Sequence, residues 1–211
     1  MTHLAVISAG LSEESSTRML ADRLAAATRA RLESGGADVS VDMIELRPLA
    51  HAIMDAMLTG FASGDLAGAI ESVRRADALI AVTPVFSASY SGLFKSFFDV
   101  LEPGLIEGKP ALLGATAGTA RHGLVLDHAL RPLFAYLRAE PLPTAVFAAT
   151  DDWGDTADGR IHERVERAGR ELADRIRPGA RPHTPPRRSG RGPQFDDTAQ
   201  DFVDLESLLN G

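Results

Sequence analysis

Residues 4–24 read LAVISAGLSEESSTRMLADRL. Three unlike pieces follow one another here: an apolar run, Leu4–Ser8, a polar turn over 9–17, and a helical pattern. In that pattern Leu20 and Leu24, with Ala27 just beyond, share one face at a 3.6-residue period. A short, nearly continuous apolar run suits a strand covered on both faces. Strand, turn and helix in that order make the first half of a βαβ unit.

The pattern repeats down the chain. Four further runs, Val39–Leu46, Ala78–Thr83, Ala111–Thr116 and Thr144–Ala149, read as strands, and Val39–Met43 alternates as a strand near an edge does. Between them Phe94, Phe97, Phe98 and Leu101 keep helical spacing, as do Leu126, Ala129, Leu130 and Leu133. A last helix carries Ile161, Val165, Ala168, Leu172 and Ile176. The fold class is therefore α/β: a flavodoxin-like, doubly wound, five-stranded parallel sheet of order 2-1-3-4-5 with helices on both faces. Residues 47–65, punctuated by Pro48, Gly60 and Gly64, read as a loop before a short helix over 66–75. Residues 1–177 form the expected domain, and 178–211 read as a Pro/Arg-rich linker followed by an acidic amphipathic helix.

Composition narrows the function. The 211 residues include no cysteine, which excludes disulfides, thiolate metal sites and a Cys nucleophile. A net charge of −7 argues against nucleic-acid binding, which selects for clustered Lys and Arg. The beginning of the chain lacks the charged and long apolar regions of a signal peptide, and no run approaches the ~18 apolar residues of a membrane span. A cytoplasmic protein is expected. The six histidines show no metal-ligand spacing, and Gly-x-Ser-x-Gly is absent, so neither a metal site nor an α/β-hydrolase nucleophile is expected.

In an open parallel sheet, ligands bind at the carboxyl ends of the strands. The turn over 9–17 places Ser15, Ser16 and Thr17 at the start of a helix, where free amides and the helix dipole favour an anion. Those residues suit a phosphate monoester, but they are also the preferred N-caps, and both readings stand. Glu13 and Glu14 oppose phosphate binding unless they point outward. Neither a P-loop nor Gly-x-Gly-x-x-Gly is present. The turn after the third strand, TPVFSASYSGLFK over 83–95, presents backbone groups suited to the edge of a planar heterocycle, with Val85 or Phe86 against its face. Pro84 is expected to end the strand, and a helix to begin near Ser91.

Residues 83–101, TPVFSASYSGLFKSFFDVL, resemble the flavin loop and following helix of NAD(P)H-dependent FMN reductases of the flavodoxin-like superfamily. Residues 4–24 resemble that family's phosphate loop. Residues 114–140, GATAGTARHGLVLDHALRPLFAYLRAE, resemble the matching segment of reductases that partner two-component flavin monooxygenases. The resemblance implies FMN as cofactor and NADH or NADPH as co-substrate. It places Ser15, Ser16 and Thr17 on the phosphate with Gly10 and Leu11 beside it. It sets Pro84, Val85, Phe86 and Ser87 along the isoalloxazine, with Gly92 permitting close approach, and Thr116, Ala117 and Gly118 at the ring's border. It also implies a homodimer or homotetramer and transfer of reduced flavin to a monooxygenase. Many relatives carry Glu-Tyr-Asn where Val85-Phe86-Ser87 stand, so polar ring contacts are missing and exchangeable flavin is expected. No catalytic acid, base or nucleophile is assigned, because the flavin carries the chemistry.

Two alternatives are a flavin-bound quinone or azo reductase and a flavodoxin-type electron carrier. The second fits poorly with only 6% aromatic residues. Pro132 should kink or bulge its helix, and His128 falls where the monooxygenase-partnered subgroup carries Tyr or His. Arg121 and His122, opening the helix after the fourth strand, are candidates to meet a dinucleotide's phosphates.

Overall fold

A computed structural model describes residues 1–153 and 158–176. Its strands are β1 (Thr2–Ser8), β2 (Val39–Glu45), β3 (Ala78–Phe86), β4 (Ser89–Tyr90), β5 (Pro110–Ala117), β6 (Glu140–Pro141) and β7 (Val146–Ala149). Its main helices are α1 (Ser16–Ser34), α2 (Leu46–Thr59), α3 (Gly64–Arg75), α4 (Gly92–Asp99), α5 (Arg131–Tyr136) and α6 (Asp158–Ile176). The long strands run parallel in the order β2-β1-β3-β5-β7, so the expected 2-1-3-4-5 arrangement holds. The two strands not foreseen in the sequence are two-residue pieces: β4 folds back antiparallel on β3, and β6 pairs with the start of β5.

Alternation along β1 divides the core in two. Leu4 and Val6 face α1 and α6, meeting Leu20, Leu24, Val165 and Leu172. Ala5 and Ile7 face the opposite layer, where Ile53, Leu66, Val73 and Phe134 pack with Phe94, Phe97 and Phe98. The three phenylalanines of α4 are thus core, with Phe94 and Phe98 centroids 4.8 Å apart. The helices α1 and α6 touch closely enough that a Cβ on Gly169 would lie 2.9 Å from the Thr28 amide nitrogen.

Several local expectations are corrected. Residues 46–59 are helix α2 rather than loop, because Pro48 sits in the first turn, where a missing N–H is no loss. Gly60 ends that helix at φ 78°, a left-handed C-cap. The next helix starts at Gly64, two residues earlier than expected. Pro84 does not end its strand: β3 continues to Phe86 because Val85 and Phe86 turn from β5 to pair with Tyr90 and Ser89. The last strand begins at Val146 rather than Thr144. Pro132 acts as expected, with a π-helical turn over Leu126–Leu130 just ahead of it and α5 beyond. Arg121 and His122 occupy a short 3₁₀ turn, Ala120–His122, instead of opening a helix. The linker and acidic helix expected over 178–211 lie outside the described residues.

Candidate flavin site

The turn after β1 and the hairpin after β3 enclose one open cleft of about 830 Å³. Leu11–Met19 line one wall, and Pro84 and Phe86 the other. This is the carboxyl end of adjacent parallel strands, where the order of the sheet reverses.

The first wall is polar where α1 begins. Ser15 is the N-cap, and its Oγ accepts from the Arg18 amide at 3.3 Å. The amides of Ser16 and Thr17, in the first turn, have no acceptor within the helix and add to the positive end of its dipole. Gly10 is required by packing: a Cβ there would fall 1.9 Å from Ser15 Oγ. The Ser15 side chain therefore lies against Gly10 while still lining the cleft. Both glutamates are exposed on this wall, and Glu13 lies 3.4 Å from Arg47, which offsets part of its charge.

Thr17 differs from its two neighbours. It is only 2% exposed, and its Oγ1 lies 2.8 Å from Oγ1 of Thr116, itself 2% exposed. That bond ties the start of α1 to the end of β5.

Arg18 and Met19, which sequence reasoning did not single out, also line the cleft. Arg18 is held by Asp22 at 3.0 Å and by Glu45 at the end of β2. The Asp22 hydrogen bond, helped by Glu45, outweighs desolvation and raises the guanidinium above its ordinary pKa. A helix-face i,i+4 pair was the only sequence signal for this residue.

The second wall is apolar and rigid. Phe86 is 48% exposed on the cleft, opposite Leu11 at 49%. The hairpin turns through Ser87 (φ 48°) and Ala88 (φ 67°), both left-handed. Two successive residues of that kind are what a two-residue turn between right-twisted strands demands, at about 1 kcal/mol of strain or more each. Thr83 anchors the base. Its Oγ1 donates to the Pro84 carbonyl at 2.9 Å and accepts from the Ser91 amide at 3.0 Å. Ser91 in turn caps α4 by accepting from the Phe94 amide at 3.2 Å.

Of the residues expected around a ligand, Leu11, Ser15, Ser16, Thr17, Pro84 and Phe86 converge on this cleft. Val85 packs against the core instead, since its side chain alternates away from Phe86. Ser87 is spent on the turn. Gly92 and Gly118 are exposed, with open space where a Cβ would stand, and Ala117 is half-buried; none of the three lines the cleft. Thr116 faces Thr17, not the open space.

Residues 2–154 match the family model described as NADPH-dependent FMN reductase. The NADH-dependent FMN reductase SfnF of Pseudomonas putida is 35% identical over 164 residues, spanning 77% of this chain and 86% of that one. An oxidoreductase structure from Corynebacterium diphtheriae superposes with TM-score 0.81 at 48% identity, covering 83% of this chain and 97% of the other. The apo structure of the NADH:FMN oxidoreductase EmoB gives TM-score 0.72 at 28% identity, covering 89% and 97%.

Proposed function

Since this chain belongs to the NADPH-dependent FMN reductase family and transfers hydride from NADH or NADPH to FMN, we propose that the cleft between residues 11–19 and the Pro84–Phe86 hairpin holds the flavin. The observation that carries this reading is the polarity of the cleft. One end offers hydroxyls and unpaired amides at a helix N-terminus; the other offers apolar surface on a stiff hairpin. A phosphate monoester attached to a planar tricycle has the same division.

Bound FMN supplies the hydride-accepting ring. The residues of the chain do the rest. Ser15, Ser16 and the first amides of α1, with Gly10 beneath and Leu11 beside them, take the phosphate dianion; Thr17 contributes its amide while its hydroxyl stays with Thr116. Phe86 and Leu11 shield ring surface from water, and Pro84 keeps the strand from flexing. Ser87, Gly92 and Thr116–Gly118 stand behind the walls rather than on them: Ser87 forms the hairpin turn, Thr116 holds Thr17, and Gly92, Ala117 and Gly118 lie outside the cleft lining. Val85 braces the hairpin from the core side.

We further propose that reduced FMN leaves and is handed to a flavin-dependent monooxygenase in the cytoplasm. The openness of the cleft and the apolar side chain that Phe86 presents to it support exchange over retention. Among the described residues no helix is long and apolar enough to cross a membrane. A homodimer or homotetramer fits the exposed Met54, Met57, Leu58 and Phe61 around the end of α2.

Steady-state FMN reduction by the Ser15→Ala/Ser16→Ala variant tests the assignment. The KM for FMN should rise about tenfold or more, as expected when hydrogen bonds to a charged group are lost. An unchanged KM would place the flavin elsewhere.

A further inference from the structure

Arg18 is the one cation among the described residues that line the cleft, where it stands in the first turn of α1 beside Glu13 and Glu14. Its guanidinium is fastened on two edges. Nε donates to both carboxylate oxygens of Asp22, each at 3.0 Å, and Nη1 donates to Glu45 at the end of β2. Nη2 has no partner among the described residues, and the side chain is 34% exposed. The two fastenings differ in kind. Asp22 lies one turn along the same helix, so that bond travels with Arg18. Glu45 is 27 positions away on another element, and that bond can open without disturbing α1.

A phosphate monoester at the start of α1 shares the cleft with this guanidinium. It brings a charge of about −1.5 to −2 and three acceptor oxygens, against the single charge of a carboxylate. The planar fork of arginine suits phosphate oxygens, and Glu45, half exposed, regains its water when released. We propose that Arg18 exchanges partners when flavin binds: it leaves Glu45 for the phosphate while Asp22 keeps Nε in place. The inference rests on the flavin assignment above. Glu45 is then a competitor for Arg18. Each flavin that enters must open the ion pair, and each that leaves restores it, so the pair lowers affinity and favours turnover of flavin. Riboflavin, which lacks the phosphate, leaves the pair closed.

The test is isothermal titration with FMN and with riboflavin of the wild type, Arg18→Gln, Glu45→Gln and Arg18→Gln/Glu45→Gln. Arg18→Gln should weaken FMN about tenfold, as loss of a charge-assisted contact does, with riboflavin unchanged. Glu45→Gln should tighten FMN about three- to fivefold, the worth of an exposed ion pair that no longer has to open. With Arg18 already replaced, the same Glu45 change should matter less than about twofold, because only screened repulsion is left to remove. Unchanged FMN affinity in Arg18→Gln, no tightening in Glu45→Gln, or equal gains from Glu45→Gln in both backgrounds overturns the exchange. Ser15→Ala/Ser16→Ala in the same titration separates the exchange from its premise. Weakened FMN there, with no effect of Arg18→Gln, removes the exchange and leaves the flavin site standing; no effect in either removes both.

Discussion

The Thr17–Thr116 pair offers the sharpest stability prediction. Its two hydroxyl oxygens lie 2.8 Å apart, each side chain is 2% exposed, and neither hydroxyl has another partner among the described residues. Thr116→Val keeps the shape but strands the Thr17 hydroxyl in a dry site. Leaving one buried polar partner unsatisfied costs about 1–3 kcal/mol, against nearly nothing when both partners become apolar isosteres. Thr116→Val and Thr17→Val should therefore each destabilise by about 2 kcal/mol. In a protein of this size that corresponds to a Tm drop of roughly 4–8 °C. Thr17→Val/Thr116→Val should recover most of the loss, leaving about 1 kcal/mol and so a coupling energy of about 3 kcal/mol in a double-mutant cycle. Urea and thermal unfolding of the four proteins, followed by far-UV circular dichroism, read these numbers. Additive losses in the double variant, or single variants as stable as the parent, would refute the idea that this bond fastens α1 to β5.

Other contacts carry predictions of their own. Gly10→Ala places a methyl 1.9 Å from Ser15 Oγ, so the turn must move; FMN affinity measured by fluorescence quenching should fall at least tenfold, with overpacking adding about 1–3 kcal/mol of destabilisation. Ala88→Val puts a β-branched side chain at φ 67°, which should cost about 1–2 kcal/mol in thermal unfolding and loosen the hairpin. Glu171 is pushed up by burial, but its bonds from the Thr144 hydroxyl and amide, with Arg167, outweigh this and hold its carboxyl below the ordinary 4.5. Its stabilising effect is thus fully present above that value and lost as pH falls below it; the stability gap between wild type and Glu171→Gln should be constant from about pH 6 to 8 and close in acid, by urea unfolding at each pH.

Much of this architecture is legible in the sequence. Four of the five apolar runs are buried on both faces, and the edge strand β2 alternates, so all carry a strong, local signal, and their alternation with helical periods leaves few topologies. Residues 46–59 mislead because Pro48 and Gly60 punctuate a sequence equally when they break a helix and when they begin and end one. Pro84 misleads for a related reason: proline weakens a ladder, yet here the strand changes partner at the proline and goes on. The cleft is legible where the chemistry is local, as at Ser15, Ser16 and Phe86. It is illegible where residues far apart in sequence meet: Thr17 with Thr116 across 99 positions, Arg18 with Glu45, and Thr83 with Ser91. Hydroxyl residues look alike in a sequence, and only packing decides which faces a ligand and which fastens two elements together.

The division of the cleft into a phosphate-holding end and a ring-holding end is best tested by one comparison on the unmodified protein. Isothermal titration with FMN and with riboflavin, which differ only in the phosphate, measures what the start of α1 contributes. Charge-assisted bonds from Ser15, Ser16 and the first amides predict FMN binding tighter by a factor of about 10–100. Equal affinities for the two flavins would contradict the account.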